Sequence, residues 1–128
     1  MDPISDMLIR LKNASAVRRA SISLPYSKLK NAIGEVLLKE GYVASVVKRP
    51  RDKGAVLEIE LVYKDKKPKI KGVKRISKPS RRVYYGVSEI RSVKSGYGTL
   101  VLSTPKGILT GKDAKKELVG GEALFNIW

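Results

Sequence analysis

Apolar positions recur along the first forty residues with the spacing of amphipathic helices. Ile4, Met7, Leu8 and Leu11 fall on one helical face, leaving Arg10 and Lys12 toward solvent. Asp2-Pro3 ahead of them is a helix start, since Asp can cap free amides and Pro is tolerated in the first turn. "ASISLP" alternates instead, with Ile22 and Leu24 on one face, and predicts a short strand ended by Pro25. A second helix opens at Ser27, carries Leu29, Ala32, Ile33, Val36 and Leu37 as its apolar stripe, and closes at Gly41. "YVASVVK" and "AVLEIELVY" read as strands joined by the charged turn "RPRDKG". In the second of these, Leu57, Ile59, Leu61 and Tyr63 alternate with Glu58 and Glu60, so one face is buried and the other wet.

The pattern changes at "KDKKPKIKG", residues 64–72, where six of nine positions are Lys or Asp and one is Pro. Such a segment suits a linker or an exposed crossover. Beyond it the chain predicts short strands, "VKRIS", "RRVYYG", "GTLVLST" and the final "EALFNIW", the last with Leu124 and Trp128 packed inward. "SEIRSV" predicts a helical turn, and "TGKDAKKEL" a short helix capped by Thr110 with Asp113 completing a weak capping box. The expected fold class is therefore α+β in two small lobes. Residues 1–66 form an N-terminal α/β lobe with two helices and a three-stranded sheet. Residues 67–128 form a mainly β lobe with one short helix.

Composition changes the picture by its charge. In 128 residues, 27 Lys+Arg stand against 12 Asp+Glu, a formal net charge of +15, while 42% of positions are hydrophobic. The chain can pack a core, and so large an imbalance calls for a polyanionic partner. A membrane surface fits poorly, because no apolar run approaches the roughly 18 residues of a span. Two Asp within the first six residues suit neither a signal nor a transit peptide, so a cytoplasmic location is expected. The absence of Cys and His removes disulfides and the commonest metal ligand and general base. No enzyme, cofactor, metal or small-molecule substrate is expected.

Three local motifs point elsewhere and fall short. "GILTGKD" orders Gly107, Gly111 and Lys112 like a phosphate loop, but it is one residue short and Asp113 replaces the magnesium-holding hydroxyl. "SGYGTLVL" imitates the aromatic strand of an RNA-recognition sheet, but Ser95 stands in place of a cation and Thr99 in place of a stacking ring. A hydrolase built on Ser103 or Thr104 would need Lys106 desolvated, which an exposed loop does not provide.

Double-helical or irregular RNA suits the stretch Ser103-Thr104-Pro105-Lys106-Gly107 better. Its short hydroxyls can bond 2′-hydroxyls or base edges in a shallow minor groove. Pro105 stiffens the tip, Lys106 offers charge to phosphate, and Gly107 permits close backbone approach. A solvated turn explains these five residues equally well, and the net charge tips the balance toward RNA. "SKPSRRVYYG" adds Arg81 and Arg82 as phosphate forks and Tyr84 as the exposed tyrosine of the pair, leaving Tyr85 for the core. Lys28 and Lys30 stand at the start of the second helix, where cations oppose the helix dipole, so bound phosphate or plain solvation must account for them. A general basic protein without RNA preference remains a second reading.

Four ordered stretches then carry a resemblance: "DPISDMLIRLKNA", "PYSKLKNAIGEVLLKEGYV", "RISKPSRRVYY" and "LSTPKGILT…GGEALFNIW". Together they make the chain similar to the bacterial-type small-subunit ribosomal protein eight family over nearly its whole length. The resemblance implies an α/β lobe followed by a mainly β lobe. It implies direct binding to a helix of the central domain of small-subunit ribosomal RNA, early action in assembling the platform, and neighbouring small-subunit proteins as partners. The family's Ser-Thr-Ser-Lys-Gly loop enters the RNA minor groove, and Ser103, Thr104, Lys106 and Gly107 match it, with Pro105 departing where Ser is usual. Arg82, Tyr84 and the "GGE" containing Gly121 and Glu122 match the RNA-facing region. Asp2 and Pro3 match the opening of the N-terminal helix and join the candidate set. Phe125 stands where the pattern often has Cys, as a core substitution.

Overall fold

A computed structural model describes residues 2–91 and 98–128. Of the motifs above, Ser95 and Tyr97 of the aromatic strand imitation, and the end of "SEIRSV", lie outside the described residues. The chain divides into two compact units, Pro3–Lys71 and Gly72–Trp128, with Asp2 grouped with the second.

The first unit begins with α1 (Pro3–Ala16), β1 (Ser21–Pro25) and α2 (Lys28–Lys39). The expected stripe of α1 is buried: Ile4, Met7, Leu8 and Leu11 are all at most 6% exposed, and Ala14 extends it. The helix stops because Arg18 turns into the left-handed region at φ 58. Arg18 N–H then bonds the Ser15 carbonyl and Arg19 N–H the Ala14 carbonyl, the double bond of a Schellman ending. Ser27 caps α2 by accepting from Lys30 N–H at 3.1 Å. Gly41, at φ 81, takes the left-handed turn after it. On α2, Ile33 and Leu37 are fully buried, but Leu29 is 40% exposed. In place of a full apolar stripe, Gly34 lets α2 approach the sheet so closely that a Cβ there would lie 3.0 Å from a Val46 methyl.

Behind the helices lies an antiparallel sheet in the order β1-β3-β2, formed with β2 (Val43–Arg51) and β3 (Gly54–Leu61). The charged stretch expected as a loop, Arg49-Pro50-Arg51, continues β2, with Arg51 paired to Gly54. Only Asp52 and Lys53 make the turn, and Gly54 at φ 101 supplies its positive φ. The lysine-rich segment at 64–72 is likewise folded and does not run as a linker. β4 (Tyr63–Lys64) pairs with β5 (Lys67–Pro68) across Asp65 and Lys66. Both turn residues have positive φ, as a twist-matched two-residue hairpin requires. Ile70 just beyond is 3% exposed.

The second unit contains β6 (Val73–Arg75), β7 (Tyr84–Tyr85), a 3-10 turn at Val87–Glu89, β8 (Thr99–Thr104), β9 (Gly107–Thr110), α3 (Gly111–Lys116) and β10 (Gly121–Ile127). Its sheet runs β6-β10-β8-β9, and β7 also pairs with β10. The central strands are buried on both faces, so Leu100, Val101 and Leu102 are consecutive core residues, as are Ala123, Leu124 and Phe125. A bulge between Ala123 and Phe125 permits the second run, since the register shifts there. The freed Leu124 carbonyl accepts from the Arg75 guanidinium and from Ile76 N–H. α3 starts as expected, with Thr110 Oγ1 accepting from Asp113 N–H at 3.1 Å.

Candidate nucleic-acid interface

The geometry of the site follows from register. Glu122 on β10 lies opposite Ser103 on β8 and, on its other side, opposite Tyr84 on β7. Directly opposed residues share a sheet face, with strands about 4.8 Å apart. Ser103, Glu122 and Tyr84 therefore form one polar row across three strands. The residues next to them in the chain, Leu102, Ala123 and Tyr85, turn to the other face. There they pack with Ile90, Leu100 and Ala114 in the core of this unit. Tyr84 is 66% exposed, as expected of this tyrosine of the pair.

Two glycines make the row possible. A Cβ on Gly121 would lie 2.1 Å from the Ser103 carbonyl oxygen, and one on Gly120 would lie 2.3 Å from that of Tyr85. Bare backbone is required for β8 and β7 to close on β10 at this end.

The hydroxyl stretch at the end of β8 is a tight hairpin. β8 runs through Thr104 and β9 begins at Gly107, so Pro105 and Lys106 alone form the tip. Gly107 adopts φ 108, open to glycine at no steric cost. Thr104 Oγ1 donates to the Gly107 carbonyl at 2.8 Å and accepts from Lys106 N–H at 3.1 Å. Its hydroxyl thus braces the tip, while the Ser103 side chain is half-buried beside the row. Pro105, Lys106 and Gly107 are exposed. Lys106 Nζ lies 3.0 Å from Glu117 Oε2, both side chains being more than half exposed. An exposed pair of this kind is worth about 0–1 kcal/mol, so a phosphate can displace it.

Glu122 is the hub of the row. Its carboxylate accepts from Ser77 Oγ and, at 3.0 Å, from Arg82. Ser77 Oγ in turn accepts from Val83 N–H at 3.1 Å. Ser77 is fully buried, and nothing in its sequence context distinguishes it from a turn serine. A two-residue turn with mutual bonds between Lys78 and Arg81 leads from it and leaves Arg81 exposed. Burial alone would raise the Glu122 pKa. The hydrogen bonds from Ser77 and Arg82, with the charges of Arg82 and Arg75, outweigh it and hold the carboxyl below its ordinary 4.5. A depressed folded-state pKa means the stabilisation is complete above the unfolded value and is lost as pH falls through the folded one. The stability difference between wild type and Glu122→Gln is therefore expected to be largest at neutral pH and to shrink on acidification below about 4.5. Urea titrations across that range measure it.

The remaining candidates are not drawn into the row. Asp2 accepts from Arg75 Nε at 2.9 Å, with the two side chains 15% and 9% exposed, so its carboxylate faces an internal cation. Pro3 is simply the first residue of α1, where a missing N–H costs nothing. Lys28 and Lys30 belong to the first unit. Lys30 Nζ donates to the Pro25 carbonyl at 2.7 Å, a local reason for a cation at that helix start. Lys28 is exposed.

Comparison with known proteins gives a uniform result. The sequence model of the family described as ribosomal protein S8 matches residues 2–128. The chain is 49% identical to the small ribosomal subunit protein uS8 of Mycoplasmopsis agalactiae over 127 residues, covering 99% of this chain and 97% of that one. It is 46% identical to the protein of the same name from Persephonella marina over 133 residues, covering 99% and 98%. The Dictyoglomus thermophilum protein of that name is also 46% identical, over 127 residues, covering 99% and 97%.

Proposed function

The chain belongs to the ribosomal protein S8 family, and on that premise we propose that this structural constituent of the small ribosomal subunit binds directly to a helix of the central domain of the subunit's RNA. In that role it helps organise the platform during assembly beside neighbouring small-subunit proteins. The observation carrying this reading is the polar row Ser103–Glu122–Tyr84, bordered by the braced hairpin tip and by Arg82. A flat row of hydroxyl, carboxylate-held guanidinium and exposed ring suits the wide, shallow minor groove of A-form RNA, which presents 2′-hydroxyls and base edges.

The parts divide the work. Ser103 offers a donor and acceptors to a sugar or base edge, and Tyr84 offers a ring face or its hydroxyl. Arg82, aimed by Glu122, and Lys106 meet phosphate. Glu122 acts through Arg82 and Ser77, fixing the row rather than meeting a polyanion with its own charge. Gly121 contributes by what it lacks. Phosphate contacts supply affinity, and the hydroxyl row supplies selectivity.

The test is direct binding of the full chain to a folded central-domain RNA fragment and to a random duplex at one stated salt concentration. Clear preference for the fragment is expected, and equal affinity would reduce the protein to a general polyanion binder. Lys106→Ala is expected to weaken both RNAs alike and to lower the slope of log K against log salt by about 1. Measuring affinity across a salt series checks it.

A further inference from the structure

The first unit has an open sheet edge with a groove beside it. Among the described residues, the order β1-β3-β2 leaves the outer side of β1 without a partner strand. On its inner side, the Ala20 carbonyl accepts from Leu61 N–H at 2.9 Å and Tyr26 N–H donates to Ala55 at 3.0 Å. Bonded positions alternate in an antiparallel pair, so Ala20, Ile22, Leu24 and Tyr26 face β3. Ser21 and Ser23 therefore turn their backbone N–H and C=O outward. Pro25 closes the row, having no N–H and a carbonyl already bonded by Lys30. What remains is two donors and two acceptors repeating at about 6.8 Å, the period of a pairing strand.

A groove of about 490 Å³ adjoins this edge, lined by Asn13 and Ala14 near the end of α1, Val17 just beyond it, Ile22 and Ser23 from β1, and the two arginines Arg10 and Arg19. Val17 is 70% exposed. Arg10 shares a 3.2 Å ion pair with Asp6 yet stays half exposed. Arg19 is exposed, and its N–H groups other than the backbone one are not needed by the helix ending.

We infer that this edge accepts an extended, acidic segment of a partner protein as a fourth strand of the sheet. Outward carbonyls on Ser21 and Ser23 need N–H donors at strand spacing, which a peptide supplies and a phosphodiester chain does not. The apolar lining of Ala14, Val17 and Ile22 suits a small aliphatic side chain and is idle against phosphate. The guanidinium pair selects carboxylates beside that side chain. Native sheets usually blunt such an edge, and among the described residues Pro25 does so at one end of β1.

The test uses the full-length protein and a capped six-residue peptide of alternating glutamate and valine. Two comparison ligands are the same peptide N-methylated at every amide and a single-stranded RNA hexamer. Amide NMR shifts and hydrogen exchange at Ser21 and Ser23 are the readout. The peptide is expected to shift and protect both amides. N-methylation is expected to abolish this, and Arg10→Glu with Arg19→Glu to weaken it at least tenfold. Ser23→Pro, which removes an outward N–H and no β3 bond, is expected to lose it while the core signals persist. If the methylated peptide binds equally, if no ligand moves these amides at millimolar concentration, or if only the RNA does, the inference is overturned. None of these outcomes depends on the Ser103–Gly107 hairpin.

Discussion

Gly121→Ala is expected to destabilise the second unit by on the order of 4 kcal/mol or more. The new methyl would lie 2.1 Å from the Ser103 oxygen, 2.9 Å from its carbonyl carbon and 3.1 Å from Thr104 Cα. All three are backbone atoms, so no rotamer change relieves the overlap. Ser103 cannot retreat either, because it is paired with Glu122 on one side and Ile108 on the other. Gly34→Ala is the control: there the nearest atoms are Val46 side-chain carbons at 3.0 and 3.2 Å, which can rotate or shift. Urea unfolding of both variants distinguishes them. A Gly121→Ala protein within about 0.5 kcal/mol of wild type would show that β8 and β10 do not close as described.

The second large effect concerns RNA rather than folding. Ser103→Ala and Tyr84→Ala are each expected to weaken binding to the central-domain fragment by about 1–3 kcal/mol, a factor of roughly 5 to 150. Neither should alter unfolding much, since Tyr84 is largely exposed and the Ser103 hydroxyl lies on the polar face. Random duplex should be bound nearly as before. Because the two side chains flank Glu122, the double variant is expected to lose less than the sum of the singles. Thr104→Ala belongs to a different class. Its hydroxyl braces Lys106 and Gly107, so its loss loosens the tip, and Thr104→Ser should restore binding. Fluorescence titration at fixed salt, paired with urea curves, separates these outcomes.

What the sequence disclosed and what it hid divide along contact range. The helix starts at Pro3 and Ser27 and the turn at Gly41 are local devices, written in adjacent residues, and they stand where the pattern puts them. Alternation correctly separated Tyr84 from Tyr85, because a strand's two faces are legible within four residues. Charge at Arg49–Arg51 and over residues 64–68 suggests loop, whereas exposed hairpin arms tolerate cations on both faces. Leu29 misled in the other direction, since Gly34 and not another apolar side chain sets how α2 meets the sheet.

The candidate site was legible as a set of residues but not as an arrangement. Ser103 and Tyr84 carried recognisable chemistry, yet their common row depends on Glu122, far from both in the chain. Ser77 gave no sign of its role, because a buried serine bonded to a carboxylate 45 positions away looks locally like any turn residue. Lys30 looks ligand-facing because unpaired charge is all a sequence displays, and Asp2 joins the candidates only through the resemblance at the helix opening. Their partners, Arg75 and the Pro25 carbonyl, emerge only from folding.

The polar end of the β7-β10-β8 sheet, with the tip beside it, is the surface proposed to meet the RNA. Amide NMR mapping of the full chain, titrated with a folded central-domain fragment, tests this most directly. The largest shifts are expected at Ser103, Thr104, Lys106, Gly107 and Tyr84, with the Leu102 and Ala123 amides following as their strand neighbours. Saturating shifts confined to the first unit, with the hairpin unchanged, would contradict it.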